Sequence, residues 1–150
     1  MAEDRVTIVV VDDDDGHVEL VRRNLRRAGI ANHIQAFSHG LEALDFVFRR
    51  GSHAARSERL LMLLDLNIAG SIDGFEVLRQ IKIDDKARRV PVIVLTTTDD
   101  PRDVDRCYDL GCNAYVTKPV DPAALRESIE RLALILSVTC LPNDSVEPAA

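Results

Sequence analysis

The chain has 150 residues, 19 basic against 25 acidic, and a formal net charge of −6, which suits one domain with a real core and argues against a partner that is nucleic acid. Hydrophobic residues make up 46% and charged residues 29%, ordinary globular usage, and no apolar run approaches the roughly 20 residues of a membrane helix. The short acidic start MAEDRV is not a signal peptide, and Cys107, Cys112 and Cys140 form no CxxC pair, so a reduced cytoplasmic protein with no membrane partner is expected.

VTIVVV (6–11) is short, continuous and β-rich, the pattern of a strand buried on both faces. Four aspartates follow, Asp12 to Asp15. Val18, Val21, Leu25 and Ala28 then recur at three- and four-residue spacing, one face of a helix that Gly29 stops. HIQAF (33–37) is a weaker strand. Ser38 is expected to cap a helix carrying Leu41, Leu44 and Phe48 and ended by Gly51, and GSHAARSER (51–59) reads as a polar loop. LLMLLD (60–65) is a second buried strand. Asp73 with Glu76 three residues on makes a capping-box-like start to a helix through Phe75, Leu78 and Ile81.

PVIVLT (91–96) is a third buried strand. Asp100-Pro101 pairs an N-cap with proline at the first helical position, and that helix ends near Gly111. AYVT (114–117) is the last strand. Asp121-Pro122 repeats the cap, and Leu125, Ile129, Leu132 and Leu136 form the stripe of a final helix. Strands alternating with helices imply an α/β protein, a parallel sheet with helices on both faces. The tail from Leu141, LPNDSVEPAA, is polar and Pro-rich and reads as extended.

In open α/β sheets, sites form at the carboxyl ends of the strands. Asp12 and Asp13 follow the first strand, Asp65 ends the third, Thr96 ends the fourth, and Lys118 follows the fifth. Three carboxylates gathered at one edge repel unless a cation is present, and Mg²⁺ suits them. A carboxylate beside a phosphoryl donor can be the nucleophile, with Lys118 and the Thr96 hydroxyl helping to position and neutralise the group. Asp14 or Asp15 suits the start of the first helix instead.

Taken together, VVVDD (9–13), LLDLN (63–67), DGFEVL (73–78), PVIVLTT (91–97) and GCNAYVTKP (111–119) resemble the receiver domain of two-component response regulators. That resemblance implies a flavodoxin-like (βα)5 three-layer sandwich with a five-stranded parallel sheet of order 2-1-3-4-5. It implies a receiver domain over 1–138 and a tail or dimerisation arm over 139–150. Asp65 becomes the phospho-acceptor. Asp13 becomes a direct Mg²⁺ ligand, Asp12 acts through water, and Asn67 gives a backbone carbonyl, with Mn²⁺ able to substitute. Thr96 becomes the switch hydroxyl, Tyr115 the switch aromatic and Lys118 the phosphate-binding lysine, with a cis bond to Pro119. Two departures stand out: Ala69 where the family usually has proline, and a loop before Asp73 one residue longer than usual.

Within the family, DDDDGHVELVRRNL, the insert GSHAARSER, VLTTTDD and the LP of the tail resemble single-domain regulators paired with phytochrome-type kinases. The implied partner is a sensor histidine kinase, a bacteriophytochrome on this finer resemblance. Leu134, Ile135, Val138 and Leu141 add apolar surface that one helix face cannot bury, so a homodimer through residues around 132–145 is expected. Two other readings stand beside this one. An unphosphorylated receiver-like interaction module would not use the complete site. A haloacid-dehalogenase-type phosphatase needs a second aspartate two residues past the nucleophile, and Asn67 stands there.

Overall fold

The computed structural model describes residues 6–54, 56, 58–118 and 121–136, the last five of these by backbone alone. The Lys118–Pro119 bond, Cys140, and the tail with its proposed arm lie outside the described residues, as do the side chains of Leu132 and Leu136.

Ten elements alternate along the chain: β1 Val6–Val11, α1 Asp15–Arg27, β2 Ile34–Phe37, α2 Gly40–Val47, β3 Arg59–Leu64, α3 Gly74–Lys82, β4 Val92–Thr96, α4 Pro101–Leu110, β5 Ala114–Thr117 and α5 Pro122–Leu136. All strand pairs are parallel, and the sheet order is β2-β1-β3-β4-β5. This is the expected flavodoxin-like order.

The continuous apolar runs are explained by burial on both faces. Val9 and Val11 of β1, Met62 and Leu64 of β3, and Val92 and Val94 of β4 pack with Leu44 of α2, Val77, Leu78 and Ile81 of α3, and Cys107 of α4. The alternate residues, Ile8 and Val10, Leu61 and Leu63, Ile93 and Leu95, pack with Val21 and Leu25 of α1 and Leu125 and Ile129 of α5. Period-two alternation thus feeds two cores rather than one core and solvent. No helix among the described residues is long and apolar enough to cross a membrane.

The helix ends follow local chemistry, with three corrections. Asp14 caps α1, accepting from Gly16 N (2.8 Å) and His17 N (3.2 Å). Asp100 caps α4 with Pro101 at its start, and Gly111 closes it at φ 107°. Asp73 caps α3 through Glu76 N at 3.0 Å, but the capping box is only half made. The Glu76 carboxylate turns instead to Arg79 (2.6 and 2.9 Å) and Gln80 (2.8 Å), and its hydrogen bonds from Arg79 pull its pKa down to about 2.

Ser38 does not cap α2. Its hydroxyl bonds His39 Nδ1 at 3.1 Å, and His39, whose side chain bonds no helix amide, holds the cap position. Nor does α2 run to Gly51. It closes at Val47, with Arg49 N bonded to Phe46 O and Arg50 N to Asp45 O around Arg49 at φ 59°. That is a Schellman closure with an arginine in the left-handed position usually held by glycine.

The insert after α2 is more than a polar loop. Arg56 tucks its guanidinium inward and donates to Phe46 O (2.8 Å), Val47 O (3.0 Å) and Glu58 O (2.6 Å). Two of those carbonyls belong to the last turn of α2, so Arg56 supplies a donor to Val47 O and a second one to Phe46 O, which already accepts from Arg49 N.

Candidate functional site

Asp12, Asp65, Thr96 and Lys118 stand where strands run out at their carboxyl ends, whereas Tyr115 lies within β5. The sheet's hydrogen bonding continues one step past the strands: Asp65 N donates to Val11 O (3.0 Å), Asp12 N to Phe37 O (3.0 Å) and Lys118 N to Thr96 O (2.8 Å). The backbones that carry the chemistry are therefore fixed by the sheet, not by loops. Gly74, at the start of α3, completes the platform. A Cβ there would press on the Asp65 carbonyl oxygen and lie 2.5 Å from Leu66 Cα. Only a glycine lets α3 approach the Asp65 backbone this closely.

Asp12, Asp65 and Thr96 are buried polar residues, only 4%, 8% and 0% exposed. Lys118 reaches between the two carboxylates, 2.7 Å from Asp12 Oδ2 and 3.2 Å from Asp65 Oδ2. The charge repulsion expected of the cluster is thus relieved from within by an ammonium. Asp12 Oδ1 accepts from Asp14 N at 2.9 Å, and Asp65 Oδ1 accepts from Asn67 N at 3.2 Å. Both carboxylates are therefore oriented by the turn that follows them.

Asp13 departs from the expected convergence. Its side chain is exposed, and Oδ2 accepts from Ala69 N at 2.7 Å. Among the described residues, the group whose ligand atoms lie within 4.8 Å of one another is Asp12, His17 and Asp65. The physical reason lies at position 69: an alanine offers an N–H that a proline in its place would lack. The residue noted as a departure in sequence is the one that holds Asp13 in the extended loop.

Sequence reading missed His17. Its Nδ1 lies 3.2 Å from Lys118 Nζ and 3.7 Å from Asp12 Oδ2. The available signal was positional: His17 is in the first turn of α1, and the N-termini of helices that follow strands face the same edge as the strand ends.

Thr96 is fully buried at the end of β4, and its hydroxyl oxygen is 3.5 Å from Thr98 N. Tyr115, half-buried on the edge strand β5, donates its hydroxyl to Thr98 O at 2.6 Å. Burial first, then the nearby Cys107, Asp103, Asp99 and Cys112, push the Tyr115 phenol up to about 12. It is a neutral donor anchoring the β4–α4 loop that begins at Thr96.

The donor set fits a hard divalent cation: the buried carboxylate oxygens of Asp12 and Asp65 and the backbone of the Asp65–Asn67 turn, with Asp13 beside them but turned to Ala69 N.

A family model described as the response regulator receiver domain matches residues 8–130. The response regulator Rcp1 of Synechocystis sp. is 36% identical over 111 residues, covering 74% of this chain and 75% of Rcp1. A crystal structure of the Mn²⁺-bound form of response regulator Rcp1 is similar at TM-score 0.71 and 32% identity, covering 91% of this chain and 99% of that one. The phosphorylated cyanobacterial phytochrome response regulator RcpA is similar at TM-score 0.74 and 31% identity, covering 93% and 99%. The bacteriophytochrome response regulator RtBRR is similar at TM-score 0.76 and 34% identity, covering 92% and 84%.

Proposed function

The chain belongs to the response regulator receiver-domain family, and on that premise we propose that it accepts a phosphoryl group on Asp65 from the phosphohistidine of a sensor histidine kinase and signals through protein contacts. The observation that carries the reading is Lys118 held between two buried carboxylates, 2.7 Å from Asp12 and 3.2 Å from Asp65. It leaves one carboxylate, Asp65, as nucleophile beside a fixed positive charge.

In this reading an Asp65 carboxylate oxygen attacks the phosphorus. The new O–P bond forms as the P–N bond breaks, and the electron pair goes to the imidazole nitrogen of the kinase, which takes up a proton. Lys118 offsets negative charge on the phosphoryl oxygens, which is most of what such transfers require. Asp65 is pre-aligned because Asn67 N holds one oxygen and Lys118 faces the other. Mg²⁺, with Mn²⁺ as a substitute, would be held by Asp65, the Asn67 carbonyl and Asp13, whose carboxylate would have to leave Ala69 N, with Asp12 acting through water, and would supply further positive charge to the phosphoryl oxygens.

The Thr96 hydroxyl would then be drawn to a phosphoryl oxygen, and Tyr115, released from Thr98 O, would turn into the space left behind. A local charge change thereby biases a packing element with two positions. RcpA and RtBRR, described as phytochrome and bacteriophytochrome response regulators, support a phytochrome-type kinase as the partner. The homodimer through residues around 132–145 and the cytoplasmic setting rest on the sequence of the chain. Family membership sets aside the phosphatase reading.

The test is intact mass after incubation with Mg²⁺ and acetyl phosphate. Wild type should carry an acid-labile adduct of about 80 Da, one phosphoryl group, and Asp65→Asn should carry none. A wild type that gains no such mass rejects the reading.

A further inference from the structure

Lys118 has three N–H donors and no acceptor. All three have partners: Asp12 Oδ2 at 2.7 Å, Asp65 Oδ2 at 3.2 Å and His17 Nδ1 at 3.2 Å. To grip a phosphoryl group, the ammonium must exchange one of these bonds. The bond to Asp12 joins opposite charges, and that carboxylate is 4% exposed. Asp65 carries the incoming group, so its direction is already the right one. The bond to His17 is different. Its partner is a ring nitrogen, whose role depends on the tautomer, on a side chain 43% exposed at the first turn of α1. A bond from an ammonium to a neutral acceptor is weaker than one to a carboxylate.

We propose that His17 is a phosphoryl-pocket residue that competes with the phosphoryl oxygen for Lys118: its Nδ1 occupies the third donor of the ammonium until a phosphoryl group displaces it. The proposal rests on the receiver chemistry assigned to Asp65 above. It follows that Nδ1 is the unprotonated nitrogen of the ring in the resting state and that Nε2 carries the hydrogen. It also follows that His17 weakens retention of the phosphoryl group, because each return of Lys118 to His17 removes one bond from that group. The residue thus tunes how tightly the pocket holds its ligand without itself touching the acceptor carboxylate.

The probe is beryllofluoride with Mg²⁺, a stand-in for the phosphoryl group, titrated calorimetrically into the full chain. His17→Leu removes the competing acceptor and should bind it about twofold to tenfold more tightly than wild type, the range of one hydrogen bond partly replaced by water. His17→Gln, whose side-chain oxygen can accept from Lys118, should fall between the two. The acid-labile adduct made with acetyl phosphate should outlast wild type's on His17→Leu by a similar factor. His17 is on the surface, so equal melting temperatures for the three proteins will mark intact folds. Equal or weaker binding by His17→Leu, with wild type binding normally, overturns this inference alone. A wild type that takes neither beryllofluoride nor a phosphoryl group overturns the receiver chemistry and this inference with it.

Discussion

Two lysines, at opposite ends of the sheet, each fill all three donors and do different work. Lys118, at the carboxyl end, faces two carboxylates and an imidazole. Lys82, at the last turn of α3 and so at the amino end, donates to Arg88 O (3.0 Å), Val90 O (2.7 Å) and Asn113 Oδ1 (3.1 Å). Asn113 Oδ1 also accepts from Val92 N at 2.9 Å, tying the starts of β4 and β5 together. Neutral acceptors leave the Lys82 ammonium uncompensated, and burial, opposed weakly by Cys112, pulls its pKa down to about 8. The difference lies in the partners, not in the lysine: carbonyls make a staple, whereas carboxylates make a charge that a ligand can recruit.

The sharpest way to break this contrast is to remove each amine in turn. Lys118→Met should slow formation of the acid-labile adduct by about a hundredfold to a thousandfold, the usual cost of losing one charged or donor group aimed at a transferring group. Lys82→Met should form the adduct at the wild-type rate yet unfold at lower urea. Leaving the three acceptors without their donor is expected to cost about 1–3 kcal/mol. The contrast fails if Lys82→Met is as poor an acceptor as Lys118→Met.

Each end also has a glycine pressed against its machinery, which sharpens the comparison at smaller cost. Gly74→Ala would force Asp65 and Leu66 away from α3. An overpacked contact of this kind costs about 1–3 kcal/mol, and here adduct formation should slow as well, because the displaced backbone is that of Asp65, the proposed acceptor. Gly111 has φ 107°, and a Cβ there would lie 3.1 Å from Lys82 Cγ. Gly111→Ala should cost about 1–2 kcal/mol from the left-handed backbone and leave the adduct rate unchanged. Urea unfolding and intact-mass time courses on both variants separate the two outcomes. A Gly111→Ala protein that phosphorylates slowly would show that the two ends are coupled.

The same contrast explains what was legible in sequence. VTIVVV, LLMLLD and PVIVLT announce doubly buried strands, and a parallel sheet then assigns their carboxyl ends to the site. The positions of Asp12, Asp65, Thr96 and Lys118 at one sheet edge were legible because strand ends are easy to locate in an apolar run. Side-chain direction was not legible. Asp13 turns to Ala69 N because of one amide in a loop, and no periodicity encodes that bond. His17 carries no signal of its own within a helix start crowded with aspartates. Arg56, in a stretch that reads as polar and exposed, spends its charge on helix carbonyls. The Ser38 cap failed because α2 starts at Gly40, which puts His39 rather than Ser38 at the cap position, and the Ser38 hydroxyl bonds His39 Nδ1.

The subtlest test of the staple is its pH dependence, and its sign can be worked out. The native Lys82 amine titrates at about 8 against 10.5 when free. Below pH 8 both states hold the proton, and the native state bears the desolvation cost. Between 8 and 10.5 the native amine releases its proton while the unfolded chain keeps it. The unfolded state then binds more protons, so stability from this group rises with pH across that window. Other buried groups push the opposite way. Desolvation raises Cys107 to about 11, and raises Cys112 and Tyr115 to about 12. Their free forms ionise near 9.0 and 10.0, so the unfolded chain sheds those protons first and the stability they contribute is lost as pH rises. Wild type alone would therefore show the two trends superposed. The difference in urea midpoint between wild type and Lys82→Met cancels the trends that the thiols and the phenol share in both proteins; Lys82 itself lowers Cys112, so the difference reports the lysine together with that one coupling. That difference should widen in favour of wild type from pH 8 to 10.5. A difference that stays flat would mean the three acceptors hold the ammonium charged throughout, and that the two lysines differ less than their partners suggest.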